Sequence, residues 1–285
     1  MVKKEEEKEL KITFQSKKEY KCPACDTLFK KEELLSGGGR LIAGQLTKEL
    51  HRLYEPSGKY GEIFPLIYQA IVCPNCWFAS MENDFPQLPP DSKKKVKEST
   101  GKRKKDTSLI FPNLNYNENR TLMDGAASQY LTLLCYDYYN KPTSPTIKQG
   151  LASLRCAWLL DELHVKYPDQ HYDWTANLFR KKAQYLYNEA LIREQNGKET
   201  LSGMKAFGPD TDKNYGYEGM LYLCAYLRYT FGPAHDEAER KASLEEARRT
   251  IAKLFGMGKS SKDKPGAFLE HARTLYDTIN KELAE

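Results

Sequence analysis

Two Cys-Pro-x-Cys turns, Cys22-Pro23-Ala24-Cys25 and Cys73-Pro74-Asn75-Cys76, constrain this chain more than any other feature. Two residues between cysteines let one tight turn aim both sulfurs at a single point, and proline after the first cysteine pre-sets φ for that turn. Four such sulfurs at about 2.3 Å complete a tetrahedral shell around zinc. The expectation is therefore one structural Zn2+ held by Cys22, Cys25, Cys73 and Cys76, with no position left open for a substrate. A redox pair, an iron–sulfur cluster and four merely buried thiols are the rival uses of the same residues. Two pairs in a reducing compartment favour metal, and neither pair opens a thioredoxin-like helix.

The compartment follows from what the sequence lacks. Met1–Gln15 is charged and has no apolar core of roughly 7–15 residues, so it does not read as a secretory signal. No stretch approaches ~18 uncharged apolar residues, so nothing is expected to span a membrane. A cytoplasmic protein is expected.

Strand-like sequence precedes each turn: Glu19-Tyr20-Lys21 before the first and Leu66–Val72 before the second. Glycine after the second cysteine would accept positive φ cheaply, but Asp26 and Trp77 stand there. Asp tolerates that geometry and Trp does not, so the second turn is expected either to be distorted or to carry its indole packed on the core. The 47 residues between the pairs contain Gly37-Gly38-Gly39 and a polar, helical-looking stretch Leu41–Tyr54. No GxxxxGK[ST] motif accompanies the glycines, which read as a plain turn. His51 is an alternate ligand on paper and a solvated side chain on the simpler reading.

Charge is concentrated in one place. The segment 92–105, SKKKVKESTGKRKK, carries eight Lys/Arg against one Glu, or +7 of a net +5, so the remainder sums to −2. Lysine runs neutralise phosphates without reading bases. With one arginine and no interleaved aromatics, Lys93–Lys105 reads first as a solvated tether, and otherwise as a nucleic-acid, anionic-surface or acidic-partner contact.

From about Arg120 the pattern becomes helical. Apolar residues recur every 3–4 positions over Arg120–Asn140, Thr146–Tyr167 and Tyr172–Gln195, with Pro142, Pro145, Pro168 and Asn196-Gly197 as stops. Tyr215–Thr230, Glu237–Phe255 and Pro265–Leu283 read as three more helices. Ala183-x3-Tyr187-x2-Ala190 has the small–aromatic–small spacing of a tetratricopeptide second helix, and Ala247-x3-Ile251-x2-Leu254 and Ala272-x3-Tyr276-x2-Ile279 repeat its intervals. The 64-residue interval between the first two exceeds an ordinary unit of ~34, so expanded hairpins or an ordinary helical bundle both fit.

The blocks KCPACDTLF and PLIYQAIVCPNCWFAS, followed by LASLRCAWLLDEL and FRKKAQYLYNEALIREQNG, resemble the bacterial family DUF2225 from about Tyr20 to the C-terminus. That resemblance implies a zinc-ribbon-like head joined to tetratricopeptide-like helices, with no enzymatic activity attached. Only Cys22, Cys25, Cys73 and Cys76 carry over as functional positions. Asp26 and Trp77 depart from the glycines of the family's CPxCG blocks.

The expected fold is α+β and mostly α: a charged tail (1–15), a zinc-ribbon-like head (16–85), a linker with the basic run (86–119) and a helical-hairpin domain (120–285). Cys135, Cys156 and Cys224 read as buried thiols. His164 and His171, flanked by Asp161, Glu162, Asp169 and Asp173, match no metal signature, and His235 and His271 read as surface residues. No nucleophile, acid–base pair or cofactor loop stands out. The functional expectation is a non-enzymatic module that binds a protein or peptide through its helices, with Tyr and Trp side chains as anchors. The alternative is a nucleic-acid-associated zinc-ribbon protein that uses Lys93–Lys105.

Overall fold

The computed structural model describes residues 11–201, 208–256 and 266–285. Most of the charged tail, and Pro265 at the last expected helix start, lie outside them. The architecture is mostly α with a small antiparallel β part.

Three two-stranded antiparallel hairpins form the N-terminal part: β1 (Thr13–Lys21) with β2 (Leu28–Leu34), β3 (Ile42–Leu46) with β4 (Arg52–Glu55), and β5 (Ala70–Val72) with β6 (Ala79–Met81). The first and third hairpins turn through the Cys-Pro-x-Cys sequences, which is how a pair of sulfurs comes to sit at each hairpin tip. Two local expectations fail here. Leu41–Tyr54 is a hairpin, turned at Leu50 with φ +60°, not a helical stretch. The strand expected over Leu66–Val72 shrinks to Ala70–Val72, because Pro65 starts a 3-10 turn over Pro65–Tyr68. That turn is needed for packing: a side chain at Gly125 would lie 2.6 Å from Ile67 Cγ1, so the turn nests where the next helix has none.

The basic stretch is the largest correction. Residues expected to lack regular structure form α1 (Lys93–Glu98) and α2 (Thr100–Ile110). Their inner face is carried by Val96, Arg103, Thr107 and Phe111, all buried and 4 or 7 residues apart. An arginine and a threonine in half of those places hide the stripe from any hydropathy reading. Six lysines point outward.

The expected helices follow as α3 (Leu122–Cys135), α4 (Pro145–Lys166), α5 (Tyr172–Gln195), α6 (Gly216–Phe231), α7 (Glu237–Gly256) and α8 (Gly266–Ala284). Each packs on its successor from α3 to α8. Thr121 and Asp124 close a reciprocal capping box at the start of α3. Gly197, φ +63°, follows the last turn of α5 as a left-handed cap residue. The repeated positions are spent on packing: Ala183, Tyr187, Ala190, Ala247, Ile251, Ala272 and Ile279 are buried. At Gly150 of α4 an added Cβ would stand 2.9 Å from the Tyr187 ring, so glycine sets the approach of α4 to α5. No described helix is long and apolar enough to cross a membrane.

Two cores result. The larger joins the helices to Leu46, Leu50, Leu66 and Ile67 of the N-terminal part. The smaller surrounds the cysteines with Tyr20, Ile71, Phe78 and Phe85, and borrows Val96, Cys135, Tyr136 and Tyr139 from the helical side.

Candidate metal centre

Each hairpin tip repeats one hydrogen-bond pattern. Asp26 N donates to Cys22 O (3.0 Å) and Cys22 N to Thr27 O (2.9 Å); Trp77 N donates to Cys73 O and Cys73 N to Phe78 O, both at 2.9 Å. Asp26 and Trp77 take φ of +62° and +55°. The Trp77 knuckle is thus not distorted. Holding a bulky residue there costs on the order of 1–3 kcal/mol, offset by the indole packing edge-on against Tyr116 at 5.7 Å with Lys104 Nζ 5.4 Å from its centre.

The tips bring all four sulfurs to within 4.8 Å of one another. Across the knuckles, Cys22 Sγ lies 3.6 Å from Cys76 Sγ and Cys25 Sγ 3.6 Å from Cys73 Sγ. A tetrahedron with zinc–sulfur bonds of about 2.3 Å has edges of about 3.8 Å, so the donor set fits one ion. Cys22, Cys73 and Cys76 are buried and Cys25 partly so.

Ionisation among the sulfurs is uneven. Contacts from the Cys22 and Cys76 thiols, aided by backbone N–H groups of Cys76 and Asn75, draw the Cys73 thiol down. The Cys73 sulfur and burial push Cys22 up, and the Cys22 and Cys73 sulfurs with burial push Cys76 up. Four close sulfurs cannot all carry charge unless a cation offsets it. Thr27 Oγ1 lies 3.2 Å from Cys25 Sγ and accepts from Asn75 Nδ2 at 3.1 Å, which ties one knuckle to the other.

The helices close the centre from behind. Arg103, in the middle of the lysine run, is buried; its guanidinium donates to Cys76 O (2.6 Å), Val96 O (3.2 Å) and Ser99 Oγ (2.9 Å). Cys135 Sγ accepts from Ala79 N at 3.4 Å, and burial pushes its thiol up to about 11. Burial likewise raises Cys156 and Cys224, as expected of structural thiols. Arg103 was the missed member here. Its one signal was being the single arginine among lysines, since a planar fork suits carbonyl clamping and a point charge does not.

The histidines divide. His51 is not a ligand and not solvated: its ring stacks on Trp158 at 4.3 Å, and Nδ1 stands 2.5 Å from Asp210 Oδ2. Arg52 N also donates to Asp210 Oδ2 (2.6 Å). Burial works against the Asp210 charge, but the bonds from His51 and from the Arg52 and Thr211 amides outweigh it and hold the carboxyl below its ordinary range. Beside it, Glu49 accepts from Trp158 Nε1 (2.5 Å) and from Arg180 Nε (2.8 Å), and Arg180 also reaches Asp161 (2.5 Å). Nothing in the sequence links position 51 to 210, so this centre was invisible there. His164 Nδ1 sits 3.6 Å from Asp173, and His171 is the left-handed N-cap of α5. His235 is exposed, while His271, expected at the surface, is half-buried with Nε2 3.4 Å from Leu46 O. Among the described residues, the four cysteines are the one group of three or more such side chains disposed around a common point.

Residues 15–279 match a family described as an uncharacterized protein conserved in bacteria, DUF2225. The chain belongs to that family. An uncharacterized protein of Borreliella burgdorferi is 38% identical to this DUF2225 chain over 273 residues, covering 96% of this chain and 98% of its own length. No solved structure matches the chain.

Proposed function

We propose that this DUF2225 protein is a non-enzymatic, zinc-stabilised protein-binding module of the cytoplasm. The observation that carries the reading is the closed set of four sulfurs at two hairpin tips, with spacings that suit zinc and no side for a substrate. Cys22, Cys25, Cys73 and Cys76 would hold the ion, and the ion would supply charge compensation and a cross-link between two hairpins too small to fold alone. Behind them, α4–α5 and α6–α7 act as tetratricopeptide-like hairpins whose tight approach at Gly150 and Tyr187 stiffens a partner-binding surface.

The test has two arms. Carefully purified protein is expected to carry one zinc per chain, lost in Cys22→Ser/Cys76→Ser; less than about half an equivalent would sink the metal reading. Pull-downs from the native host with the wild type and that variant should recover a protein that depends on the intact cysteines. The nucleic-acid alternative draws on the exposed lysines of α1 and α2. It requires salt-sensitive DNA or RNA binding that weakens when those lysines become glutamines.

A further inference from the structure

An open groove of about 890 Å³ runs between α2 and α5 over a floor made by α3. Tyr130 and Leu133 lie in its floor, with Leu109 on one wall and Trp174 and Leu178 on the other. The wall residues are unusual for a surface: Leu109 is 77% exposed, Trp174 65% and Leu178 44%. Single exposed leucines need no explanation, but three large apolar side chains facing one another across a trough form a patch.

Charge says what fits it. Along α2, Lys102, Lys105, Asp106 and Leu109 fall on one face at helical spacing, and along α5 Trp174, Leu178, Lys181, Lys182 and Tyr185 do so. Of the acidic groups near the rim, Asp106 pairs with Lys102, Asp137 accepts from Gln149 Nε2 at 2.7 Å and keeps its charge at one end of the groove, and Asp173 lies 3.6 Å from His164 Nδ1. Lys105, Lys181 and Lys182 have no carboxylate partner among the described residues; Lys182 lies over the Tyr185 ring at 5.5 Å. The two helices of the basic stretch carry eight basic side chains against Glu98 and Asp106, a net +6. An apolar trough thus lies between two lysine-bearing rims.

The walls and floor are all helices, whose backbone groups are spent on their own turns, so an extended peptide would find no strand edge to pair with. A helix brings its backbone bonds with it. We propose that the groove between α2, α3 and α5 receives an amphipathic α-helix of a protein partner, its apolar stripe on Tyr130 and Leu133 and its acidic flanks on the rim lysines. The proposal rests on the protein-binding reading above and names the partner's chemistry.

The probe is a set of three labelled helical peptides that share one leucine stripe and carry Glu, Gln or Lys on the flanks, titrated by fluorescence anisotropy against the full zinc-loaded chain. The Glu peptide is expected to bind at least tenfold tighter than the Gln peptide, and the Lys peptide more weakly still. Leu109→Ser/Leu178→Ser should weaken the Glu peptide tenfold or more, and Lys105→Gln/Lys182→Gln should lower both its affinity and its salt dependence. All four positions are exposed, and an unchanged circular-dichroism melt checks that the fold is kept. No binding by any peptide, equal binding by the Glu and Lys peptides, or indifference to Leu109→Ser/Leu178→Ser overturns the proposal. So does binding of single-stranded RNA or duplex DNA by the same lysines while every peptide stays unbound. A host partner captured equally by wild type and Leu109→Ser/Leu178→Ser would leave the protein-binding module standing and remove the groove from it.

Discussion

At the cysteine centre all four donors come from two hairpin tips, and the helices only close its back. At the centre around Glu49 and Asp210 the groups come from the β3–β4 turn, α4, α5 and the loop at 209–212. The first is a set of like sulfurs that can ionise together only around a cation. The second supplies its own partners, with Arg180 between Glu49 and Asp161 and the His51 ring against Asp210. Both tie the N-terminal part to the helices. One joins two hairpin tips within the N-terminal part, the other joins residues 159 positions apart along the chain.

The contrast breaks most visibly on removing the metal. Stripping zinc with a strong chelator, or Cys76→Ser, should forfeit binding free energy on the order of 10 kcal/mol. Hydrogen exchange should then lose protection over β1–β2 and β5–β6 while α6–α8 stay protected. Equal loss throughout would mean that the two centres form one cooperative unit. Next in size, Arg180→Ala leaves Glu49 buried without its cation and should destabilise by about 3–5 kcal/mol in urea melts. Adding Glu49→Gln should restore part of it. Arg103→Lys, which cannot fork between Cys76 O and Val96 O, should cost about 1–3 kcal/mol and speed zinc release to a chelator.

Acid sharpens the comparison from the other side. Because the folded Asp210 carboxyl is held below its ordinary value, its contribution is full above about pH 4 and fades as pH falls through the folded value. Asp210→Asn should flatten that acid limb of the stability curve without changing zinc content. The smallest effect lies within the cysteine centre. Asp26→Gly, which relieves positive φ at an exposed residue, should stabilise by up to about 1 kcal/mol. Trp77→Gly should destabilise instead, since the packing on Tyr116 goes with the strain.

The helices from Leu122 onward were legible because their apolar residues recur every 3–4 positions and proline or glycine marks their ends. The four cysteines were legible because spacing alone dictates that each pair shares a point. The α1–α2 pair was not, because its buried face is one valine, one arginine, one threonine and one phenylalanine in a field of lysines. Nor was the His51 centre, whose partners stand 159 residues apart along the chain. Sequence periodicity reports what faces an apolar core; it is silent on a guanidinium that faces a carbonyl.

Arg103 couples two parts usually thought of separately. Its guanidinium grips the Cys76 carbonyl, so α2 is bolted to one jaw of the metal clasp, while the far end of the same helix, at Leu109, forms a wall of the groove. In mechanical terms α2 is a short rigid beam with the clasp at one end and the open trough at the other. Whatever seats in the trough would rest on the same helix that backs the cysteine knuckle.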